Sequence, residues 1–358
     1  MTPSEDDQPE AAIWGLLGNR RGDNAMIEAV IAATGLPARL VRLRFNKFGA
    51  LQNTFPGGSL FTLTRDSRAE LTPPWPRVVV TSGKRAVPAA LRVRRASSGR
   101  TRLLHLGRPQ APLDWFDLVV TTPQYHLPAR PNVVVCRLPS TTLSMEEASV
   151  DPTLATLPRP RIAVIVGGSE PPQRLDPDAA RRLAETALSR AQSSGGSLLV
   201  ATSPRTGPAA TAALREALDG ADAPVKFSAY GNAPNLYRAF LAAADAFLVT
   251  DDSVSMVVEA AATTRPVELF HLPALLGPGL RAFKAIEGAA KTGGAVKRAL
   301  DALVGAGLVR SNRDIAGYMD DLENDGLLAG GESLRRLAEK ELAETAVRVR
   351  TLAGLGSL

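Results

Sequence analysis

The sequence has few of the residues that build disulfides and zinc sites. Cys136 is its single cysteine, and its three histidines, His105, His126 and His271, are far apart. One cysteine excludes an internal disulfide framework, and scattered histidines argue against a histidine-rich zinc site. We therefore expect neither a disulfide-stabilised module nor a zinc enzyme, and we expect no metal and no cofactor.

Long apolar runs and a leader-like N-terminus are also missing. No stretch approaches the roughly 18 apolar residues that span a bilayer, and the acidic start MTPSEDDQPE is unlike a signal peptide. These absences predict a cytoplasmic protein, with peripheral contact at the inner face of the membrane left open. Aromatic residues make up only 5% of the chain and do not interleave with the basic clusters, so nucleic acid is a disfavoured partner.

The length and charge of the chain indicate the number of its domains and the kind of partner that it could bind. A chain of 358 residues exceeds one typical core and indicates two domains. The net charge of +6 permits an anionic partner without identifying one. Arginines cluster in residues 85–102 and 335–350, where a solvated helix face is the plainer interpretation. The excess of arginine over lysine favours a bacterial origin.

Short apolar runs alternate with helical segments along both halves of the chain, and the pattern restarts after a proline-bearing linker at residues 138–160. Such alternation is typical of parallel sheets covered by helices. The predicted fold class is α/β, with two Rossmann-like open parallel-sheet domains facing a cleft, the GT-B-like arrangement, and C-terminal helices. The predicted domains are residues 1–145, residues 146–275 and a helical extension, 276–358, that could pack back across the domains.

The segment LVTDDSVSMVVEAAATTRPVELF, residues 248–270, combines a strand, a polar turn, a helix start and a second strand. Asp251 and Asp252 can cap the helix, and Ser253 and Ser255 place hydroxyls beside its first N–H groups, which attract anions. Glu259 lies about one turn farther on the same side, where its carboxylate could accept hydrogen bonds from a ribose. The plain alternative is a capped helix without a ligand.

Two glycine-containing loops follow predicted strands. In GLLGNRRGDN, Gly18 and Gly22 allow close approach of the backbone to a ligand. The spacing does not match the GxGxxG fingerprint, so nicotinamide binding is disfavoured. In VIVGGSE, Gly167 and Gly168 precede Ser169, whose hydroxyl can donate to a phosphate. The loop lacks the GK[ST] ending of a P-loop, so ATP hydrolysis has little support, and a tight turn without a ligand is the alternative for both loops.

Further polar residues follow other strands, where ligands of open sheets gather. In TSPRT, the arginine can grip a diphosphate bidentately. In the N-terminal half, TSGKR offers acceptor-side candidates to the cleft. The diphosphate candidates here are Ser203 and Arg205, and the acceptor-side candidates are Ser82, Lys84 and Arg85.

Two residues of the N-terminal half are candidate catalytic bases. Asp23 follows the first glycine loop, where helix capping is the simpler role. His126 ends the segment TTPQYH, and imidazole titrates near neutral pH, although a lone loop histidine is more often structural. No Ser-His-Asp order, zinc spacing or nucleophile elbow favours a hydrolase.

The segments WGLLGNRRGDNAMIEAV, VVVTSGKRAVPAALRVRR, LLHLGRPQAPLDWFDLVVTTPQYH, IAVIVGGSE, LLVATSPRT and FLVTDDSVSMVVEAA occur in this order over residues 12–270. In this order they resemble the elongated-mitochondria family, the mitochondrial-fission-type proteins of plants and their bacterial relatives. The resemblance implies a GT-B-like architecture. The segments VGGSE and TDDSVSMVVEAA are also similar to the donor-binding half of the lipid-linked N-acetylglucosamine transferase of peptidoglycan synthesis.

That similarity implies site roles for the C-terminal half. Gly167, Gly168, Ser203 and Arg205 would contact a nucleotide diphosphate, Ser253, Ser255 and Met256 would line the site, and Glu259 would hold the ribose. The family often has a glutamine after its first glycine loop and a histidine-aspartate pair near TTPQYH. Here Ile27 or Glu28 and Gln124-Tyr125 occupy those regions, which weakens an acceptor-side assignment.

Three hypotheses for function follow. The leading one is a metal-independent GT-B glycosyltransferase that binds a nucleotide-diphosphate sugar as substrate and uses a lipid-linked or envelope glycan as one possible acceptor. The second is a catalytically silent adaptor on the same scaffold, as plant members recruit a dynamin-related protein during mitochondrial fission. The third and weakest is a sugar-nucleotide epimerase.

Overall fold

The computed structural model describes residues 11–50, 57–141, 152–232, 234–275, 277–291, 293–309 and 313–355. The chain divides into two compact units. Unit 1 comprises Met1–Thr142, Ala282–Arg313 and Leu337–Leu358, and unit 2 comprises Leu143–Arg281 and Asp314–Arg336. The predicted domain boundary at residues 145 and 146 lies outside the described residues. Helices from the predicted C-terminal extension contribute to both units.

A parallel sheet forms the centre of unit 1. Its strands in the described residues are β1 (Ile13–Leu17), β2 (Ala38–Arg42), β3 (Val78–Ser82), β4 (Arg102–Leu106), β5 (Leu118–Thr121) and β6 (Val133–Val135). They pair in parallel in the order β2-β1-β3-β4-β5-β6. The helices of the N-terminal segment are α1 (Arg21–Thr34), α2 (Arg65–Ala69) and α3 (Val87–Ala96).

Strand β3 shows why this sheet is parallel and buried. All of its residues are buried, and its three valines alternate between two apolar clusters. Val79 packs with Val93 of α3, whereas Val80 packs on the other face with Val30 of α1. A continuous run of β-branched residues therefore suits a strand that helices cover on both faces.

Unit 2 repeats the architecture. Its described strands are β7 (Arg161–Val166), β8 (Ser197–Thr202), β9 (Val225–Ser228), β10 (Ala246–Thr250) and β11 (Val267–Phe270), and they pair in parallel in the order β11-β10-β7-β8-β9. The accompanying helices are α4 (Pro152–Ala155), α5 (Pro177–Ser194), α6 (Gly207–Leu218), α7 (Tyr237–Ala243) and α8 (Val254–Ala261). Leu183 of α5 and Leu214 of α6 pack against Val164 and Val200 of the sheet.

The remaining helices are α9 (Pro278–Lys291), α10 (Gly294–Gly305), α11 (Ile315–Asn324) and α12 (Ser333–Leu352). A segment that contains Gly326, Gly330 and Gly331 separates α11 from α12. Val349 of α12 packs into the same apolar cluster of unit 1 as Val80. None of the helices within the described residues has the length and apolar character needed to cross a membrane.

The α/β class with two parallel-sheet units and C-terminal helices is confirmed. Helix α7 begins at Tyr237, because the side-chain oxygen of Asn235 accepts the Tyr237 N–H at 3.0 Å and closes a turn before the helix.

Candidate functional site

The glycine turn after β7 is hydrogen-bonded inside unit 2. The Gly167 N–H donates to Oγ1 of Thr250 at 2.8 Å, and the Gly168 N–H donates to Oδ2 of Asp252 at 2.9 Å. A Cβ on Gly167 would overlap both carboxylate oxygens of Asp252, and one on Gly168 would overlap the Arg205 carbonyl group. The two glycines are therefore required because a buried aspartate and a neighbouring backbone pack directly against them.

Asp252 is the centre of this arrangement. Its buried carboxylate accepts hydrogen bonds from the Gly168 N–H, the Thr250 hydroxyl at 2.7 Å and Nη2 of Arg205 at 2.8 Å. Burial raises the pKa of Asp252 to about 6, against the lowering effects of these partners. The sequence predicted Asp252 as a helix cap beside the diphosphate, and the structure places it against the glycine turn instead.

Arg205 follows β8, as predicted, and reaches the same cluster. Its Nη2 pairs with Asp252, its Nη1 lies 4.0 Å from Oε2 of Glu170, and its side chain is 38% exposed. A guanidinium carries five N–H donors, so the pair with Asp252 orients the group while leaving donors for a ligand. Ser203 Oγ donates to the Gly167 carbonyl oxygen, which directs its single proton away from any phosphate.

The start of α8 lies next to this cluster along the chain. Ser253 is the N-cap in extended conformation and accepts no capping hydrogen bond among the described residues, and its Oγ lies 3.4 Å from Oγ of Ser255. Ser255 and Met256 are half-buried. Ser169 Oγ accepts the Leu175 N–H at 3.1 Å and retains its own proton for donation. The first N–H groups of α8 and its dipole make this end of the helix attractive to an anion.

Glu259 is held by a residue that the sequence analysis missed. The Tyr237 hydroxyl at the start of α7 donates to Oε2 of Glu259 at 2.8 Å. Burial raises the pKa of Glu259, against the lowering effects of the Tyr237 hydrogen bond and the charge of Arg238. One fixed, partly buried carboxylate about a turn beyond Ser255 could accept hydrogen bonds from vicinal hydroxyls.

Asp251 has a different environment from its neighbour Asp252. Its Oδ1 accepts the Leu272 N–H at 3.1 Å, and its Oδ2 lies 3.2 Å from Nδ1 of His271. Burial raises the pKa of Asp251, and the Leu272 N–H and His271 oppose this shift. His271 follows β11, so the general rule that ligands gather beyond the carboxyl ends of parallel strands could have identified it.

In unit 1, the first glycine loop is closed by Asn24. The Gly18 N–H donates to Oδ1 of Asn24 at 2.9 Å, and Nδ2 of Asn24 donates to the Gly18 carbonyl at 3.0 Å. Gly22, predicted in the loop, lies in the first turn of α1, because that helix begins at Arg21. Its N–H group therefore belongs to the exposed start of a helix.

Asp23 lies in the first turn of α1 and faces the loop after β3. A Cβ on Gly83, whose φ is 70°, would be 2.9 Å from Oδ2 of Asp23. Burial raises the pKa of Asp23, while the positive charges of Arg20 and Arg313 lower it. A carboxylate whose pKa is moved towards neutrality fits the role of a general base.

The acceptor-side candidates lie at the end of β3 and in the loop that follows it, where Gly83 is close to Asp23. Ser82 ends β3 and donates its hydroxyl to the Leu106 carbonyl at 3.0 Å, and Lys84 begins a short 3-10 turn. Arg85 is exposed, with its guanidinium 5.9 Å from the centre of the Phe45 ring. His126 is exposed after β5 with a positive φ of 45°.

Arg313 is a second residue that the sequence analysis missed. Its Nε donates to Oε1 of Gln124 at 2.8 Å, and its guanidinium lies 5.4 Å from the centre of the Tyr125 ring. Both partners belong to the segment after β5 in which the expected histidine-aspartate pair is replaced by Gln124-Tyr125. Gln124 and Tyr125 therefore hold the Arg313 guanidinium in place, and neither of them supplies a base.

Comparison with known proteins supports the same fold. The Arabidopsis thaliana mitochondrial fission protein ELM1 is 26% identical over 219 residues, which cover 54% of this chain and 51% of that protein. The chain thus spans about half the length of the curated relative that it matches. The structure is similar to that of S. aureus MnaA with UDP (TM-score 0.51, 10% identity, 96% of this chain and 97% of the other).

The structure is also similar to that of the spinosyn forosaminyltransferase SpnP, with a TM-score of 0.50 and 12% identity. The match covers 96% of this chain and 100% of the other. At such identities these likenesses establish the fold, which is GT-B-like, and nothing finer. The family model for mitochondrial fission ELM1 matches residues 21–314. The chain therefore belongs to the mitochondrial fission ELM1 family.

Proposed function

We propose that this protein is a metal-independent glycosyltransferase that binds a nucleotide-diphosphate sugar on unit 2. The observation that carries the proposal is the arrangement at α8. Its N-terminus offers N–H groups beside Ser253 and Ser255, and Glu259, fixed by the Tyr237 hydroxyl at 2.8 Å, follows about one turn later. Anion-binding donors followed by a fixed carboxylate match a diphosphate next to a ribose.

Arg205 has the role of stabilising the diphosphate as it leaves. Its ion pair with Asp252 at 2.8 Å holds the guanidinium, and 38% of the side chain remains exposed. A positioned cation offsets charge that develops on the leaving group without reorganising during the reaction. Asp252 is accordingly a positioning residue, and Arg205 is the residue that contacts the substrate.

The acceptor is proposed to bind unit 1, with Asp23 as the base if configuration inverts. The acceptor hydroxyl gives its proton to the Asp23 carboxylate, and its oxygen forms a bond to the anomeric carbon. The bond from that carbon to the diphosphate oxygen breaks, and the nucleoside diphosphate leaves with the electron pair. His126 is the alternative base, and a retaining enzyme needs neither.

A thermal-shift and calorimetric screen of the full chain against UDP, GDP, ADP, CMP and their sugars tests the donor site. A ligand that binds the folded state raises the melting temperature, by an amount equivalent to about 2.7 kcal/mol at 100 times its Kd. We expect one nucleotide series to bind and to lose its affinity in Arg205→Ala and Glu259→Gln.

Matched controls come from the exposed pair in which Nη2 of Arg190 lies 2.8 Å from Oε1 of Glu268 in the same unit. Arg190→Ala and Glu268→Gln remove equivalent charges away from α8 and should leave nucleotide affinity unchanged. Equal losses in these controls would indicate general destabilisation of unit 2. Unchanged affinity in Glu259→Gln would remove the ribose assignment.

A silent adaptor is the second candidate, and one observation favours it. The N–H groups of Gly167 and Gly168, which would cradle phosphate in the leading hypothesis, already donate to Thr250 and Asp252. The Arabidopsis relative is named as a mitochondrial fission protein, a role that needs no catalysis. Failure of every nucleotide to raise the melting temperature, together with a stable protein partner in a pull-down, would favour the adaptor.

A further inference from the structure

Basic residues follow three neighbouring strands of the unit 1 sheet. Arg20 follows β1, Lys84 and Arg85 follow β3, and Arg108 follows β4, which is adjacent to β5. Because the strands are parallel, these loops share the carboxyl end of the sheet. Asp23 is the one carboxylate among the loop residues 18–23, 83–86, 107–112 and 122–128.

Direct contacts connect these loops. The Ser82 hydroxyl joins the end of β3 to the end of β4 through the Leu106 carbonyl at 3.0 Å. Asp23 of the β1 loop packs on Gly83 of the β3 loop, and a Cβ on Gly107 would be 3.8 Å from the Tyr125 ring of the β5 loop. The loops that carry these charges are therefore packed against one another.

Arg313 reaches this group from a distant part of the sequence. Its hydrogen bond to Gln124 at 2.8 Å and its position 5.4 Å from the centre of the Tyr125 ring fix the guanidinium on the β5 loop. Arg108 is fixed in turn by donating from Nη2 to the Val309 carbonyl at 3.0 Å. A long side chain that is already ordered loses less entropy when it binds a ligand. We call Arg20, Lys84, Arg85, Arg108 and Arg313 the basic rim.

We propose that the basic rim binds a phosphate or diphosphate group on the acceptor, and that it thereby places an acceptor hydroxyl beside Asp23. This inference rests on the proposed function, since it names the acceptor class for the same reaction. A single carboxylate on a ligand would be satisfied by one bidentate arginine. Cations from several loops instead match a group with several charges and oxygens that point in different directions.

Calorimetric titration of the full chain with inorganic pyrophosphate tests the proposal. The titration uses the Arg205→Gln protein, so that the cation of unit 2 does not contribute. We expect binding in this background and a loss of about tenfold in affinity on adding Arg85→Gln or Arg313→Gln, as one charge-assisted hydrogen bond contributes. Arg85 is exposed, so its variant should keep the fold even if Arg313→Gln does not.

Arg100→Gln is the matched control. Arg100 is exposed just before β4, whereas the basic rim lies at the other, carboxyl end of the sheet strands. This variant should keep full pyrophosphate affinity. The proposal is overturned if Arg100→Gln and Arg85→Gln weaken binding equally, or if Arg205→Gln alone abolishes it. Failure of this proposal is distinguishable from failure of the donor proposal by measuring nucleotide-induced thermal shifts in Arg85→Gln. These shifts remain if the donor proposal holds, and they are absent from every variant if it fails.

The phosphate could be attached to a lipid or to a soluble sugar, and vesicles separate these sources. Phosphatidylcholine vesicles with and without phosphatidic acid are mixed with the wild-type chain, Arg85→Gln and Arg100→Gln and then sedimented. Co-sedimentation that needs both phosphatidic acid and Arg85 supports a lipid-linked phosphate. Pyrophosphate binding without co-sedimentation supports a soluble phosphorylated acceptor.

Discussion

The two sheets have the same architecture and opposite charge at their carboxyl ends. In unit 2, Arg205 pairs with Asp252 and lies 4.0 Å from Glu170, and Asp251 precedes Asp252 in the chain; we call these three carboxylates the acidic rim. In unit 1, two members of the basic rim, Arg20 and Arg313, act electrostatically on Asp23. Each end thus keeps one group whose charge is opposite to that of its neighbours. That group is the one we expect to act in chemistry, because oppositely charged neighbours orient it.

The glycine loops of the two units also differ in how they are closed. Gly18 is held by Asn24, a neutral side chain six residues later. Gly167 and Gly168 are held by Thr250 and Asp252, more than eighty residues away in sequence. The unit 1 loop is therefore a local structure, whereas the unit 2 loop depends on the packing of the whole sheet.

The largest effect should come from adding a methyl group to the unit 2 loop. In Gly168→Ala the new Cβ would overlap the Arg205 backbone, and overpacking against backbone costs about 3 kcal/mol or more in the free energy of unfolding. The matched change in unit 1 is Gly18→Ala, whose Cβ would lie 3.8 Å from the Phe45 ring. Urea unfolding of both variants measures the difference, and equal losses would contradict the contrast between the loops.

Removing the carboxylate of Asp252 should have the next largest effect. Asp252→Ala leaves the Gly168 N–H and the Thr250 hydroxyl without their acceptor, and we expect a loss of roughly 2 to 3 kcal/mol. Arg205 adds little to this loss, because its exposed part can be solvated. The exposed Glu268, paired with Arg190, is the control, and Glu268→Ala should change stability by at most about 1 kcal/mol. Denaturant titration distinguishes the two outcomes.

Acidification should act on the two units in opposite directions. His105 is fully buried beside Phe116, and burial lowers its pKa to about 3. Between pH 6.5 and about 3 the unfolded chain binds a proton that the folded chain does not, so unit 1 loses up to about 1.4 kcal/mol per pH unit on acidification. Asp252, with its pKa raised to about 6, is protonated when folded and ionised when unfolded between that value and 3.8, so unit 2 gains stability there.

Amide hydrogen exchange at pH 7 and pH 5, corrected for intrinsic rates, measures this prediction separately in β4 and β10. Protection of β4 should fall and that of β10 should rise or hold. His105→Leu should remove the pH dependence from β4 alone. A parallel decrease in both strands, unaffected by His105→Leu, would show that other groups dominate the pH dependence.

Strand-length patterns carried most of the fold prediction. Apolar runs such as residues 77–83 and 161–166 are bounded by glycine or polar turns and become buried parallel strands, because only covered strands accept apolar residues on both faces. The helices that cover them follow from local amphipathic periodicity. Each of these patterns depends only on residues that are close together in the chain, so a single sequence is enough to predict the strand or the helix.

The contacts within the site could not be predicted in this way, because they join residues that are far apart in the chain. The partner of Gly168 is Asp252, the partner of Glu259 is Tyr237, and the partner of Gln124 is Arg313, 189 residues away. Asp252 was predicted from its local pattern as a helix cap, and only the packing of β10 beside β7 directs it to the glycine turn. Arg313 has no local pattern that separates it from other surface arginines of this arginine-rich chain.

The smallest expected effect concerns Gly22 and tests whether the unit 1 loop serves the fold or a ligand. A Cβ on Gly22 would meet no described atom within 4 Å, and alanine in a helix loses less backbone entropy than glycine. Gly22→Ala should therefore leave stability unchanged or raise it by up to about 1 kcal/mol. Pyrophosphate titration of the same variant then tests whether the start of α1 takes part in ligand binding. Weakened binding with intact stability would mean that the start of α1 approaches the phosphate closely, adding its N–H groups to the basic rim, whereas unchanged binding would leave recognition to the side chains alone.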